Sequence, residues 1–194
     1  MTHPPPSLDT LVALLAARSA RRGRFTLASG RESDLYIDAR LTTMSPDGLA
    51  LIGPLGLAAI HDAGWKADAV GGLTLGADPV SYAVSYASAL SLAAGGGKSL
   101  RAFTVRKEAK THGTGQLIEG PFRSGDRVVV VEDVITTGGS ALKAVQAVRA
   151  AGGEVLGVLA LVDREEGGRE RIEQDASVPV SALTRAREIV ARLQ

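Results

Sequence analysis

Glu132 and Asp133 stand side by side directly after four apolar residues, Val128 to Val131, and shortly before the run Thr136-Thr137-Gly138-Gly139-Ser140. Carboxylates at the end of a buried strand are costly unless something pairs with them. The vicinal hydroxyls of a ribose can donate to such a pair, and a divalent cation can bind it. The hydroxyls and glycines that follow open a helical run over 141–151. Glycine lets backbone approach a ligand closely, and the free N–H groups and dipole of a helix N-terminus attract a phosphate. With Val134 and Ile135 joining its halves, the segment reads as a sugar-phosphate site. The competing reading is an ordinary strand–turn–helix junction whose acids face water. The segment departs from a Walker A loop, because no Gly-Lys-Ser/Thr follows the glycines.

Three other segments carry unusual residues. Gly71-Gly72-Leu73-Thr74-Leu75-Gly76-Ala77-Asp78-Pro79 is a glycine-rich turn whose exposed N–H groups can form a nest for a pyrophosphate, or merely a loose connection. Arg106-Lys107-Glu108-Ala109-Lys110-Thr111-His112-Gly113 gathers three cations and a histidine in seven residues, followed by further glycine. Lysine occurs only at positions 66, 98, 107, 110 and 143, so two of five in this loop suggest a lid over a polyanion rather than a solvated charge run. Arg164 follows an apolar run, 155–162. It is either a surface arginine paired with Asp163 or Glu165, or a planar clamp for a carboxylate.

The elements that must position these segments alternate in type. Ser7 is a plausible N-cap for a helix to about residue 19 with Leu8, Leu11, Val12 and Leu15 as its apolar stripe. Two short strands are expected at 25–31 and 35–38, and Pro46 opens a helix to about 62. Strands are then expected at 67–71, 100–105, 128–131, 155–162 and 178–183. The helices between and after them fall at 78–94, 141–151, 165–174 and 184–193. A polar loop spans 106–123. Such alternation implies an α/β fold, a mostly parallel central sheet flanked by helices, with a small N-terminal α+β hood formed by 7–45. Residues 1–194 read as a single domain with a disordered tail at 1–6. Ligands of such sheets bind beyond the carboxyl ends of the strands, which is where the four segments fall.

Residues 132–140 resemble the phosphoribosyl pyrophosphate signature of the type I phosphoribosyltransferases. The 106–113 segment resembles the catalytic loop of the orotate phosphoribosyltransferase family. Phe25-Thr26-Leu27-Ala28-Ser29-Gly30-Arg31, before Tyr36-Ile37-Asp38, is similar to that family's hood. The resemblance implies a type I phosphoribosyltransferase fold and displacement of pyrophosphate at the anomeric carbon by orotate. It implies that Arg106, Lys107, Lys110 and His112 close over the pyrophosphate, with Lys110 the main leaving-group contact. Glu132 and Asp133 would hold the ribose hydroxyls, Thr136, Thr137, Gly138, Gly139 and Ser140 would cradle the 5′-phosphate, and Val134 and Ile135 would also contact phosphoribosyl pyrophosphate. Thr136 would also touch orotate, and Arg164 would clamp its carboxylate. Lys110, Asp133, Arg106 and His112 are then the candidate catalytic set. Magnesium is implied as cofactor, held through substrate with Asp133 as its one candidate protein contact. A homodimer with shared active sites is implied, because the family's lid reaches the neighbouring subunit. Two departures stand out: many members carry lysine where this chain has Ala28, and a lysine or aromatic residue where it has Thr74-Leu75.

The whole chain narrows the alternatives. It has 194 residues, 22 basic and 21 acidic, for a net charge of +1, which offers no reason to expect nucleic acid. It has no cysteine, so disulfides, thiolate catalysis and cysteine-bound metals are excluded. His3, His61 and His112 are too scattered for a zinc site. Met-Thr-His-Pro-Pro-Pro lacks the basic and apolar regions of a secretion signal, and 69–94 is too broken by Asp78, Pro79, glycine and serine to span a membrane. A soluble cytoplasmic protein acting on small molecules is expected. Alternatives are transfer to another base, such as adenine or xanthine, and a non-catalytic phosphoribosyl pyrophosphate sensor. The low net charge and the retained lid count against the sensor. A dehydrogenase is disfavoured because no G-x-G-x-x-G follows the first parallel strand.

Overall fold

The computed structural model describes residues 6–26, 32–108 and 117–193. The chain opens with α1 (Leu8–Ser19), then β1 (Ala20–Thr26) and β2 (Glu32–Ile37), which pair antiparallel as a two-stranded sheet of their own. Leu11, Val12 and Leu15 of α1 are buried as its periodicity requires, while Leu8 at its start is 42% exposed. Ser7 makes no side-chain cap, whereas Ser45 accepts from the Gly48 N–H and starts α3 (Pro46–Asp62) after the short α2 (Arg40–Thr43).

The remaining strands are β3 (Ala69–Leu73), β4 (Arg101–Val105), β5 (Ile118–Glu119), β6 (Arg127–Ile135), β7 (Glu154–Asp163) and β8 (Val180–Arg185). They form one sheet in the order β5-β4-β3-β6-β7-β8, parallel except for β5, which pairs antiparallel with β4 inside the expected polar loop. Helices α4 (Ala77–Ala93), α5 (Gly139–Ala150), α6 (Gly168–Ala176) and α7 (Ala186–Val190) complete the alternation.

The four-valine run shows why the sheet needs cover on both faces. Val129 and Val131 pack with α1, α3 and α4 on one side, and Val128 and Val130 pack with α5 on the other; all four are 0% exposed. The sequence pattern ended this strand at Val131, but β6 continues to Ile135. Pairing with β7 persists there, Glu132 opposite Ala160 and Ile135 opposite Asp163, so the two acids lie inside the strand. No helix among the described residues is long and apolar enough to cross a membrane.

Candidate active site

The carboxyl ends of β3, β6 and β7 converge with the end of β2 on a cleft of 330 Å³. Beside it, a smaller cleft of 210 Å³ lies against the turn from β6 into α5. Glu132, Val134, Thr136 and Ser140 line both, so Thr136 sits where a phosphate site and a base site would meet. The smaller cleft is completed by Ile135, Thr137, Gly138 and Gly139. Ile135 is only 1% exposed and belongs mainly to the core. Gly138 is the α5 N-cap at φ +75, a left-handed conformation that favours glycine, and it leaves the first α5 N–H groups without an intrahelical partner. A phosphate-sized space against a helix N-terminus is an anion site by geometry.

The turn is also held from the next loop. The Arg164 N–H donates to the Ile135 carbonyl at 2.9 Å, and the Arg171 guanidinium to the Thr137 carbonyl at 3.2 Å. A Cβ at Gly168 would lie 2.4 Å from the Thr136 carbonyl oxygen, and one at Gly138 would lie 2.7 Å from the Gly168 carbonyl. Loops 136–138 and 164–168 thus touch main chain to main chain.

Glu132 is 8% exposed, and its Oε2 has no hydrogen-bond partner among the described residues. Burial pushes Glu132 well above the ordinary carboxylate range, and the neighbouring Asp133 adds to the rise. Burial raises Asp133 as well, while the Val134 N–H at 2.9 Å and the positive charge of Arg40 act against the rise. An orphaned acid oxygen and a second acid at one cleft form an oxygen donor set that fits a divalent cation completed by substrate oxygens. Among the described residues no group of three or more His, Cys, Asp or Glu side chains is placed to hold a metal ion.

Asp133 also abuts the glycine-rich turn after β3. A Cβ on Gly76 would fall 2.4 Å from both Asp133 carboxylate oxygens, so a side chain there would have to displace that carboxylate. Thr74, Leu75 and Gly76 line the larger cleft, bringing the anticipated pyrophosphate nest against the acids.

Arg164 is not a surface arginine. It is 9% exposed, and its Nη2 donates to Ser33 Oγ of β2 at 3.1 Å and pairs with Glu166 at 2.6 Å, rather than with Asp163 or Glu165. Its Nε has no partner among the described residues. Asp163 accepts from the Glu165 N–H instead, and Glu165 pairs with Arg187. Of the lid cations, Lys107 lines the cleft, whereas Arg106 turns to Glu119 at 3.4 Å. Lys110, His112 and Ala28 lie outside the described residues.

The structure adds residues that motif reasoning passed over. Tyr36, Asp38 and Arg40 line the same cleft at the end of β2. Arg40 forks onto Asp38 at 2.8 and 2.9 Å, and this pairing holds Asp38 below the ordinary carboxylate range. The Asp-x-Arg spacing directly after a strand was the available signal. Tyr82 and Tyr86, at 52% and 67% exposure, line an apolar groove of 860 Å³ between α3 and α4.

Comparison with known proteins agrees with this geometry. Residues 56–186 match the phosphoribosyl transferase domain family. An orotate phosphoribosyltransferase of Rhodopirellula baltica is 46% identical over 185 residues, 93% of each chain. The crystal structure of Mycobacterium tuberculosis orotate phosphoribosyltransferase with Fe(III) dicitrate superposes with a TM-score of 0.80 at 44% identity, covering 94% of this chain and 98% of that one. The same enzyme in complex with 5-phospho-alpha-D-ribosyl 1-diphosphate gives a TM-score of 0.77 at 40% identity, with the same coverage.

Proposed function

The chain belongs to the orotate phosphoribosyltransferase family, and from that premise we infer how its own residues carry out the reaction. It transfers the phosphoribosyl group of 5-phosphoribosyl 1-pyrophosphate to orotate, giving orotidine 5′-monophosphate and pyrophosphate in pyrimidine biosynthesis. The observation that carries the assignment of roles is the pair of clefts sharing Glu132, Val134, Thr136 and Ser140. One is sized for a phosphate at the α5 N-terminus, and the other is flanked by a buried arginine.

In this reading the 5′-phosphate sits at the turn from Thr136 to Ser140, and Glu132 and Asp133 accept from the ribose hydroxyls. That placement sets the anomeric carbon between the pyrophosphate turn at 74–76 and the base site. Arg164, which lines the larger cleft, takes the orotate carboxylate with its guanidinium, aiming N1 of the base at that carbon. The C–N bond forms as the C–O bond breaks, the electron pair leaves with pyrophosphate, and the proton of orotate N1 is released to solvent. Charge on the leaving group is neutralised by Lys107 and, from the lid, by Arg106, Lys110 and His112. Magnesium, when bound with the donor through its oxygens and Asp133, supplies further neutralisation of the pyrophosphate. No covalent nucleophile is needed, so positioning and water exclusion are the protein's work.

The apolar groove between α3 and α4, with Tyr82, Tyr86 and Leu90 more than half exposed, supports a homodimer in which that face is covered. The lid of one subunit would then serve its neighbour's cleft. The protein would work in the cytoplasm on these small molecules, with no nucleic acid or membrane partner.

The direct test is the loss of orotate absorbance with phosphoribosyl pyrophosphate and magnesium, run beside adenine, xanthine and uracil. Orotate alone should be consumed. Consumption of another base in its place would sink the assignment of the acceptor, and binding of the donor with no turnover of any base would favour the sensor.

A further inference from the structure

Asp78 lies in the first turn of α4, is 8% exposed, and has no charged partner among the described residues. It does not cap its helix. Both of its oxygens turn outward to threonines of other elements: Oδ2 accepts from Thr74 Oγ1 at 2.7 Å, and Oδ1 accepts from Thr104 Oγ1 at 2.9 Å. A hydroxyl has one hydrogen to give, so Thr104, donating to Asp78, must accept from the Tyr82 hydroxyl 2.9 Å away. The chain of bonds therefore runs in one direction, from Tyr82 through Thr104 to Asp78, with Thr74 donating from the other side.

Thr74 begins the turn that faces the cleft. Its N–H is already tied to the Val105 carbonyl at 2.8 Å, and its side chain is tied to Asp78, so the residue is held at both ends. Two residues on, Gly76 lies against the Asp133 carboxylate, where a Cβ would fall 2.4 Å from both of its oxygens. A shift of the turn would reach Asp133 directly. Burying a carboxylate is costly unless its oxygens are satisfied, and the helix N-terminus together with two hydroxyls satisfies this one. The bonds fix the shape of the turn; none of them is needed to close the helix.

We propose that Asp78 is a positioning residue of the transfer reaction. It holds the 74–76 turn in the shape that receives the pyrophosphate end of the donor, and Thr104 and Tyr82 anchor that hold in β4 and α4. The inference rests on the reading that phosphoribosyl pyrophosphate occupies this cleft.

Asp78→Ala, Asp78→Asn, Thr104→Val and Tyr82→Phe test it, each measured for KM of both substrates, for Kd of phosphoribosyl pyrophosphate and for Tm. Asp78→Ala should raise KM and Kd for phosphoribosyl pyrophosphate about tenfold or more while KM for orotate stays within about threefold. Asp78→Asn keeps an acceptor for one threonine only and should fall between wild type and alanine. Thr104→Val should give about a threefold rise, and Tyr82→Phe less. Donor constants within about twofold of wild type in Asp78→Asn and Thr104→Val would overturn the proposal. A parallel rise for both substrates that tracks a fall in Tm would do the same, marking a purely structural role. If the alanine variant does not fold, the two near-isosteric variants decide by those criteria. A wild-type protein that neither binds phosphoribosyl pyrophosphate nor consumes orotate overturns the functional reading. Normal wild-type behaviour with unaltered variants overturns this inference alone.

Discussion

Glu132 keeps an unpartnered oxygen in a buried strand, and its raised proton affinity has a direct consequence for stability. The folded state binds this proton more tightly than the unfolded chain does. The associated stability is therefore fully present below about pH 4.5, the ordinary value for glutamate, and is lost as pH rises through the higher folded value. Glutamine cannot ionise, so Glu132→Gln should melt like wild type near pH 4 and above it at pH 8. An advantage of about 1 kcal/mol or more is expected, or roughly 2–4 °C in a chain of this size. Thermal melts at the two pH values check this, and equal melting at pH 8 would contradict it. The same substitution should reduce turnover, since it removes an acceptor for ribose. At this scale the sequence was most informative where a residue type is rare or costly: adjacent acids after four valines, and an arginine directly after an apolar strand. It was silent on partners. Nothing local tells that Arg164 meets Ser33, 131 positions away, or that Gly76 makes room for Asp133.

Among the elements, the close approach of β3 to β6 is set by glycine. A Cβ on Gly72 would lie 2.0 Å from the Val131 carbonyl oxygen and 2.7 Å from the Ala77 Cβ, neither of which is the end of a flexible chain. Gly72→Ala should cost about 1–3 kcal/mol and displace the turn that follows β3. Gly139→Ala meets only Thr137 Oγ1 at 3.8 Å and should stay within about 0.5 kcal/mol of wild type. Urea titrations of both variants measure the difference. The order and type of elements from α3 onward were legible because each strand is apolar, each helix is periodic and glycine marks the turns. Three features were not. β5 is two residues long and exists only by pairing with β4, α2 is a single turn, and β6 outlasts its apolar run because β7 continues beside it. Pairing is a long-range property that local composition does not carry.

For the whole molecule, the exposed aromatic face of α4 predicts association. Tyr86→Asp should convert a species of twice the chain mass to a single chain in sedimentation, with little loss of secondary structure. Wild type running as a single chain would remove the basis for shared sites. If a dimer does share them, mixing Lys110→Ala with Asp133→Ala, each inactive alone, should restore part of the activity, because one class of mixed site is intact. Tyr86 belongs to neither core of the described residues, so its substitution should leave the fold intact. The direct backbone seam between 136–138 and 164–168 bears on how this catalyst could be re-aimed. With glycine hydrogens as the only filling, the phosphate jaw and the base jaw move as one casting, and a bulkier residue in either would distort both. Anyone engineering the protein to accept a different base should leave that seam untouched and work instead at Tyr36, Asp38 and Arg40, which line the same cleft.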